Sequence, residues 1–391
     1  MSIKKIIKNK MDVKNIIKTK ILVIIILLSI GTVKNLNAQC PHTPKCIFDS
    51  CHYGGDGLSE ATAFQIWSKE HLQELADIIP QTISGFGNFT TGKHFRLMTD
   101  ITDSVDFLIG NHETTNGFQG YFYGGGNKIT LAINFSNLSG SGLRVALFSL
   151  LNNGGIDSLI VDGYVITNNI SSASGIVGII FDGFITNCTN NSTVQNTGIA
   201  SGIIGVVGTG STKVNQCINN TNNGMIIGQC VAGIIMGASA HIDVVNCLNN
   251  GHLIATGTDC FAGGIIGGAQ NANMKITVSN NLNIGTIEGY HNTVGGILGR
   301  IWLGANVTIT NNINYGFTKS TKNVGGVIGD IITLSPIPIV VIISNNSNFG
   351  VVIGEENTGC IVGSKGTVAG TGANITIINN HYDKQMCGEE E

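Results

Sequence analysis

The chain has 391 residues, of which 12% are charged and 42% hydrophobic, with 54 glycines, 5 prolines and a formal net charge of −3. This composition excludes a disordered chain, which needs lower hydrophobicity and more charge or proline, and it excludes the strongly basic field of a nucleic-acid binder. Short apolar runs broken by glycine point to many strands and turns.

Residues 1–38 stand apart. Lys4, Lys5, Lys8, Lys10, Lys14, Lys18 and Lys20 precede the apolar run Ile21 to Ile30, and a small residue follows at Ala38. That layout is expected of a secretory signal peptide cut after Ala38. The alternative of an uncleaved anchor requires roughly 20 apolar residues, about twice what the run supplies. Cleavage takes Lys plus Arg from 21 to 13 and Asp plus Glu from 24 to 23, leaving a mature chain of about −10. The expected location is therefore secreted or cell-surface, with no stable membrane insertion after cleavage and no nucleic-acid partner.

Residues 39–54 form a lead carrying Cys40, His42, Cys46, Cys51 and His52. An oxidising compartment permits a local disulfide there, leaving one thiol over. A zinc site is the lesser alternative, because gaps of six and five residues do not match paired Cys-x2-4-Cys ligands. Residues 55–143 read as an N-terminal cap region with one helix, 69–79. Ser68 is its N-cap, and Leu72, Leu75, Ala76 and Ile79 recur at helical spacing. Strand-like pieces follow at His94 to Leu97, Gly120 to Tyr123 and Lys128 to Ile133.

From residue 144 to 391 a phrase repeats. A Gly-aliphatic-aliphatic-Gly tetrad occurs at Gly175 to Gly178, Gly202 to Gly205, Gly264 to Gly267, Gly296 to Gly299 and Gly326 to Gly329. About ten residues after the first and several others comes a tetrad ending in Cys or Asn. Its last residues are Cys188, Cys217, Cys247, Asn281, Asn312, Asn346 and Asn380, in steps of 29, 30, 34, 31, 34 and 34. A period of this size marks a solenoid or propeller. Three short strands per period give the expected fold, an all-β parallel, right-handed β-helix of about seven to eight three-strand coils with an N-terminal capping helix. Cys188, Cys217 and Cys247 are expected to stack as a buried column that gives way to hydrogen-bonded asparagines at 281, 312, 346 and 380. Ile284, Tyr315 and Phe349 form a further stack, read as core packing or a corner column, with an exposed adhesive strip as the alternative.

Gly55-Asp56-Gly57-Leu58-Ser59-Glu60, Leu72 to Ala76, Phe95 to Ile101 and Phe118 to Ile129, followed by repeats such as Val294-Gly295-Gly296-Ile297-Leu298-Gly299, resemble bacterial surface proteins bearing the GLUG motif. The resemblance covers residues 55–391. It implies a parallel β-helix at the cell surface, of the kind attached to adhesins and in some members to immunoglobulin-cleaving metallopeptidases. Members commonly continue beyond such repeats, so the chain is expected to be part of a larger surface assembly.

Three chemical readings were weighed. His112-Glu113-Thr114-Thr115-Asn116 approaches a His-Glu-x-x-His zinc-protease signature, but Asn116 replaces the second ligand and Gly117 stands where a helix must run. A polysaccharide lyase or glycoside hydrolase needs acids at matching coil positions, whereas Asp162, Asp182, Asp243, Asp259, Glu288 and Asp330 fall at different phases. Arg300 and Asp330 match in phase and are expected to form a surface ion pair worth under roughly 1 kcal/mol. Carbohydrate binding needs aromatic platforms, and aromatics are only 6%. The reading is a structural or adhesive β-helix with no catalytic, metal or cofactor-binding residues and no cofactor, meeting a polysaccharide or an extracellular protein. A carbohydrate-active enzyme and a non-catalytic stalk of a longer surface protein are the alternatives.

Overall fold

The computed structural model describes residues 55–387 except 80–81, 84–86, 111–116, 138–139, 272–273, 303, 333–338 and 367–372. The signal-like segment, the cysteine lead and the His112 to Asn116 stretch lie outside the described residues.

Almost every described residue belongs to a stack of parallel coils. One coil runs through Ile242–Val245, Leu248–Asn249, His252–Ala255, Phe261–Gly263 and Ile266–Ala269 before the next begins at Lys275–Ser279. The coil thus holds five short strands, not three, because glycine and asparagine corners cut the chain more often than apolar alternation reveals. Repetition builds sheets of 11, 16, 8 and 8 strands. The first strand of each coil enters the 11-stranded sheet, the next two enter the 16-stranded sheet, and the last two build the 8-stranded pair. The whole is a parallel β-helix of about nine turns. A two-stranded antiparallel pair, Thr82–Ile83 with Gly87–Asn88, stands apart from it.

The second and third strands of the coil descend from one. Lys128–Phe135 pairs along all of Ile160–Thr167, which then pairs with both Thr189–Asn190 and Thr193–Gln195. The break falls where Asn190 first appears as a buried corner residue. From there on, each coil turns at an asparagine.

Most buried apolar residues form one continuous core running from Phe64 to Cys387, and Cys230, Ala232 and Met236 form a small cluster of their own. The N-terminal part of the main core is aromatic: Phe95, Phe118, Phe148 and Phe122 follow one another at ring-centroid distances of 5.6, 5.2 and 5.2 Å. Later coils are filled by isoleucine and valine, whose branched side chains suit tightly repeated strands.

The helix spans Lys69–Ile78 with Ile79 as its C-cap, one residue short of the expected end. Ser68 sits in extended backbone and its hydroxyl accepts from the His71 N–H at 3.4 Å. Leu72, Leu75 and Ile78 are buried. They join the core beside Phe64 and Ile66, whose strand ends the 11-stranded sheet.

At the opposite end, the short 3-10 helix Gln385–Cys387 is tied to Cys360 by a disulfide. A second disulfide joins Cys230 to Cys260, which are 30 residues apart. The register sets Cys230 opposite Phe261, so Cys260 lies one residue before the matching point of the next coil. No reading of the N-terminal cysteine cluster anticipates either bridge.

Candidate functional site

The expected column holds at six of its seven positions. Asn281, Asn312, Asn346 and Asn380 form a ladder in which each amide donates to the next at 2.9, 2.9 and 3.0 Å. Cys188 and Cys247 belong to it, the Cys188 N–H donating to the Asn220 side-chain oxygen at 2.9 Å and the Cys247 N–H to that of Asn281 at 2.8 Å. Cys217 does not belong. It pairs with Ile185 and Val244 inside the strand, two residues before the corner at Asn219, and Asn220 takes the column position. The corner itself fixes that register. Asn187, Asn219, Asn246, Asn280, Asn311, Asn345 and Asn379 all have φ between 54 and 58°. Asparagine tolerates this left-handed backbone, so the residue after each of them enters the column.

All three cysteines are free and buried. The Cys217 and Cys247 sulfurs approach to 4.0 Å. Burial pushes the Cys188 thiol up to about 12 and raises Cys217 well above its ordinary value. Such thiols act as small apolar groups rather than nucleophiles.

Two residues beyond that column runs a second asparagine ladder that the sequence reading does not single out. Asn190, Asn222, Asn249, Asn283, Asn314 and Asn348 are fully buried. Each side-chain amide donates to the next at 2.7 to 2.9 Å. The Gly tetrad exists to admit this ladder. A Cβ on Gly264 would lie 2.2 Å from the Gly296 carbonyl oxygen and 2.6 Å from Cγ of Asn283, and Gly202, Gly233, Gly296 and Gly326 are equally closed by their own ladder asparagines. The first half of the repeated phrase therefore meets, across the core, the asparagine two residues past the second half.

The Arg300–Asp330 pair corrects the expectation of a surface ion pair. The residues are register partners on adjacent coils, 3.8 Å apart, with side chains only 14% and 4% exposed. They lie in the angle between the two 8-stranded sheets, where the Phe261 ring covers the space above Gly268 and stands 5.6 Å from the Arg300 guanidinium. Thr293 accepts from Arg300 at 2.9 Å. Burial holds Asp330 above the ordinary carboxyl range, against the Arg300 charge, and lowers Arg300. A buried pair of this kind is weak support for stability, because desolvation offsets attraction. Only the folded angle between sheets reveals that burial.

One outer face changes character along the axis. On the third strand of successive coils, together with the corner before it and the turn after it, alternate residues face outward. In the middle of the chain these are Asn191, Thr193 and Gln195, although the coils on either side place Tyr164 and Met225, exposed at 39% and 41%, at the Thr193 position. Over three later coils the rows read Ile284, Thr286, Glu288, Tyr290; Tyr315, Phe317, Lys319, Thr321; and Phe349, Val351, Ile353, Glu355. Tyr315 and Phe349 occupy a corner column and are exposed at 55% and 41%. Their rings stack at 5.3 Å with 25° between planes. The stack is thus both a corner column and an exposed strip, and not core packing. Ile284 continues the strip at 43% exposure. Ile284, Tyr315 and Phe349 thus form a contiguous exposed apolar strip along one corner.

Where the same strands end, a cleft of about 500 Å³ opens, lined by Ile254, Thr256, Glu288, Tyr290, Lys319 and Glu355 among others. Glu288 and Lys319 are register partners, and Glu288 Oε1 lies 3.2 Å from His252 Nε2. The remaining acids stay apart. Asp162 meets Lys128 at 3.5 Å, and Asp182 accepts from Thr212 and Lys213. Among the described residues no group of three or more His, Cys, Asp or Glu side chains is placed to hold a metal ion.

The coils define the protein as a parallel β-solenoid, and one of its corners carries an exposed apolar strip. No family model and no curated protein matches the chain. Among solved structures it is similar to one described as a "putative immunoglobulin A1 protease from Bacteroides ovatus", at 19% identity and a TM-score of 0.47, covering 68% of this chain and 79% of that one.

Proposed function

We propose that the chain is an exported cell-surface β-helix of the GLUG-bearing kind, acting as a structural and adhesive module whose contact surface is the outer face of the three coils ending at Glu355. The exposed Tyr315–Phe349 stack carries this reading. Rings exposed at 55% and 41%, at a corner that earlier coils fill with Asn191, Asn223 and Asn250, lie largely outside the core. Aromatic side chains are the groups that dominate binding energy at protein surfaces. The resemblance of residues 55–391 and the signal-like segment support the exported setting.

The test is an array of extracellular-matrix proteins and glycans probed with the mature chain and with a Tyr315→Ser/Phe349→Ser variant. Binding to one class, lost in the variant, is expected. A blank array, or equal binding by both proteins, would reduce the chain to a stalk and overturn the adhesive reading. Cell fractionation with surface proteolysis checks the location, which fails if the chain stays protected inside intact cells.

A second reading rests on Glu288 and Glu355 sharing one cleft, since glycosidases need two nearby carboxyl groups. Incubation with a panel of plant and host polysaccharides decides it. Release of reducing or unsaturated ends that disappears in Glu288→Gln would replace the non-catalytic reading.

A further inference from the structure

The cleft beyond the aromatic strip differs from it in chemistry. Its volume of about 500 Å³ falls within the range of small-ligand sites and is too small for a folded partner. Tyr290 forms one wall and, at 71% exposure, is the most exposed of the large apolar side chains among the described residues. Nothing in the core requires a tyrosine there. The corresponding turns of the next two coils carry Thr321 and Glu355. Ile254 and Ala255 supply a further apolar patch, and Glu288, Lys319 and Glu355 place two carboxylates and one ammonium around it. His252 beside Glu288 fixes the orientation of one carboxylate at 3.2 Å.

Resting on the adhesive reading above, we propose that this cleft binds an uncharged pyranose sugar of a glycan, with Tyr290 as the stacking wall. A pyranose offers one apolar C–H face to an aromatic ring, and its edge carries hydroxyls that both donate and accept. Carboxylates only accept and an ammonium only donates, so Glu288, Glu355 and Lys319 together satisfy hydroxyl groups of either sense. The charge balance excludes acidic sugars. Two carboxylates against one lysine repel a uronate or a sialic acid, and such an anion would leave one of the glutamates facing like charge.

The test is calorimetric titration of the mature chain with neutral hexose oligosaccharides and with matched uronate- and sialic-acid-bearing ones. Neutral sugars are expected to bind and acidic ones not. Tyr290→Ala should weaken binding at least about tenfold, while Tyr290→Trp should retain it. Val214→Ser, an exposed position just before the Asn215–Ile218 strand and outside the cleft, should leave free-sugar binding unchanged. Circular dichroism of each variant confirms that the fold is kept. Preference for acidic sugars, binding of a lysine-rich peptide in their place, or wild-type sugar affinity in Tyr290→Ala would each overturn the proposal. If no sugar binds while the array adhesion persists and depends on Tyr315 and Phe349, this inference fails and the adhesive reading stands. If sugar binding depends on Tyr290 but the array variant behaves as wild type, the placement of adhesion on the aromatic strip fails instead.

Discussion

Asn283→Ala tests the claim that the inner ladder holds the coils in register. Asn283 is fully buried, accepts from Asn249 at 2.7 Å and donates to Asn314 at 2.7 Å. Truncation removes both bonds, each worth about 1 kcal/mol net, and strands the Asn249 amide at a further cost of about 1–3 kcal/mol. The expected loss is therefore about 3–5 kcal/mol, before any cavity contribution. Asn250→Ala is the matched control, one coil earlier on the exposed side of the same corner, where the side chain makes a single long contact of 3.4 Å. It should cost about 0.5 kcal/mol or less. Urea unfolding followed by circular dichroism should shift by on the order of 1 M for Asn283→Ala and barely at all for Asn250→Ala. Stacked coils need not unfold as one unit, so hydrogen exchange at Leu282 and Ile313 provides the local readout. Equal midpoints and equal exchange in the two variants would refute the reasoning.

Gly264→Ala places a methyl against the Gly296 carbonyl and Asn283 and should cost at least about 1–3 kcal/mol; a thermal midpoint within error of the parent would contradict the closed packing. Cys188, Cys217 and Cys247 should resist iodoacetamide at pH 8 in the folded chain and react in denaturant, as intact-mass spectrometry would show, since burial keeps Cys188 protonated up to about 12. Burial works to raise Asp182, but the Lys213 and Thr212 N–H groups and the Thr212 hydroxyl overcome it and hold its carboxyl below the ordinary value of 3.8. Its folded pKa being the lower one, its contribution is complete above that value and disappears as pH falls through the depressed one; Asp182→Asn should flatten stability measured between pH 5 and pH 2, and an unchanged acid limb would count against the assignment. Cys387→Ser opens the bridge that ties Gln385–Cys387 to Cys360, a closure worth about 3 kcal/mol. Exchange should rise across Ala373–Ile378 and stay unchanged at Ile226–Gly228; a uniform response would rule out a local end closure.

The repeat period, the parallel β-helix, the capped helix and most of the corner column were legible in the sequence, because each follows from local chemistry repeated at a fixed interval. Ser68 reads as a cap wherever it precedes an amphipathic run, and glycine tetrads announce close approach without saying to what. Cys217 matches Cys188 and Cys247 in residue type and spacing but not in register. The informative signal was the left-handed asparagine, and aligning Asn187, Asn219, Asn246 and Asn280 places Asn220 in the column and exposes the inner ladder two residues further on. Both disulfides were likewise written as a spacing of about one period. Other features had no local signature. Arg300 and Asp330 are neighbours by phase, yet their burial depends on the angle between two sheets, and the same phase on a flat face would leave them in water. Tyr315 and Phe349 stack whether the corner points inward or outward, and only the closed coil turns them to solvent beside the Tyr290 cleft. Local periodicity therefore determined the coil, while the curvature of the closed chain decided which of its columns face the core and which face solvent.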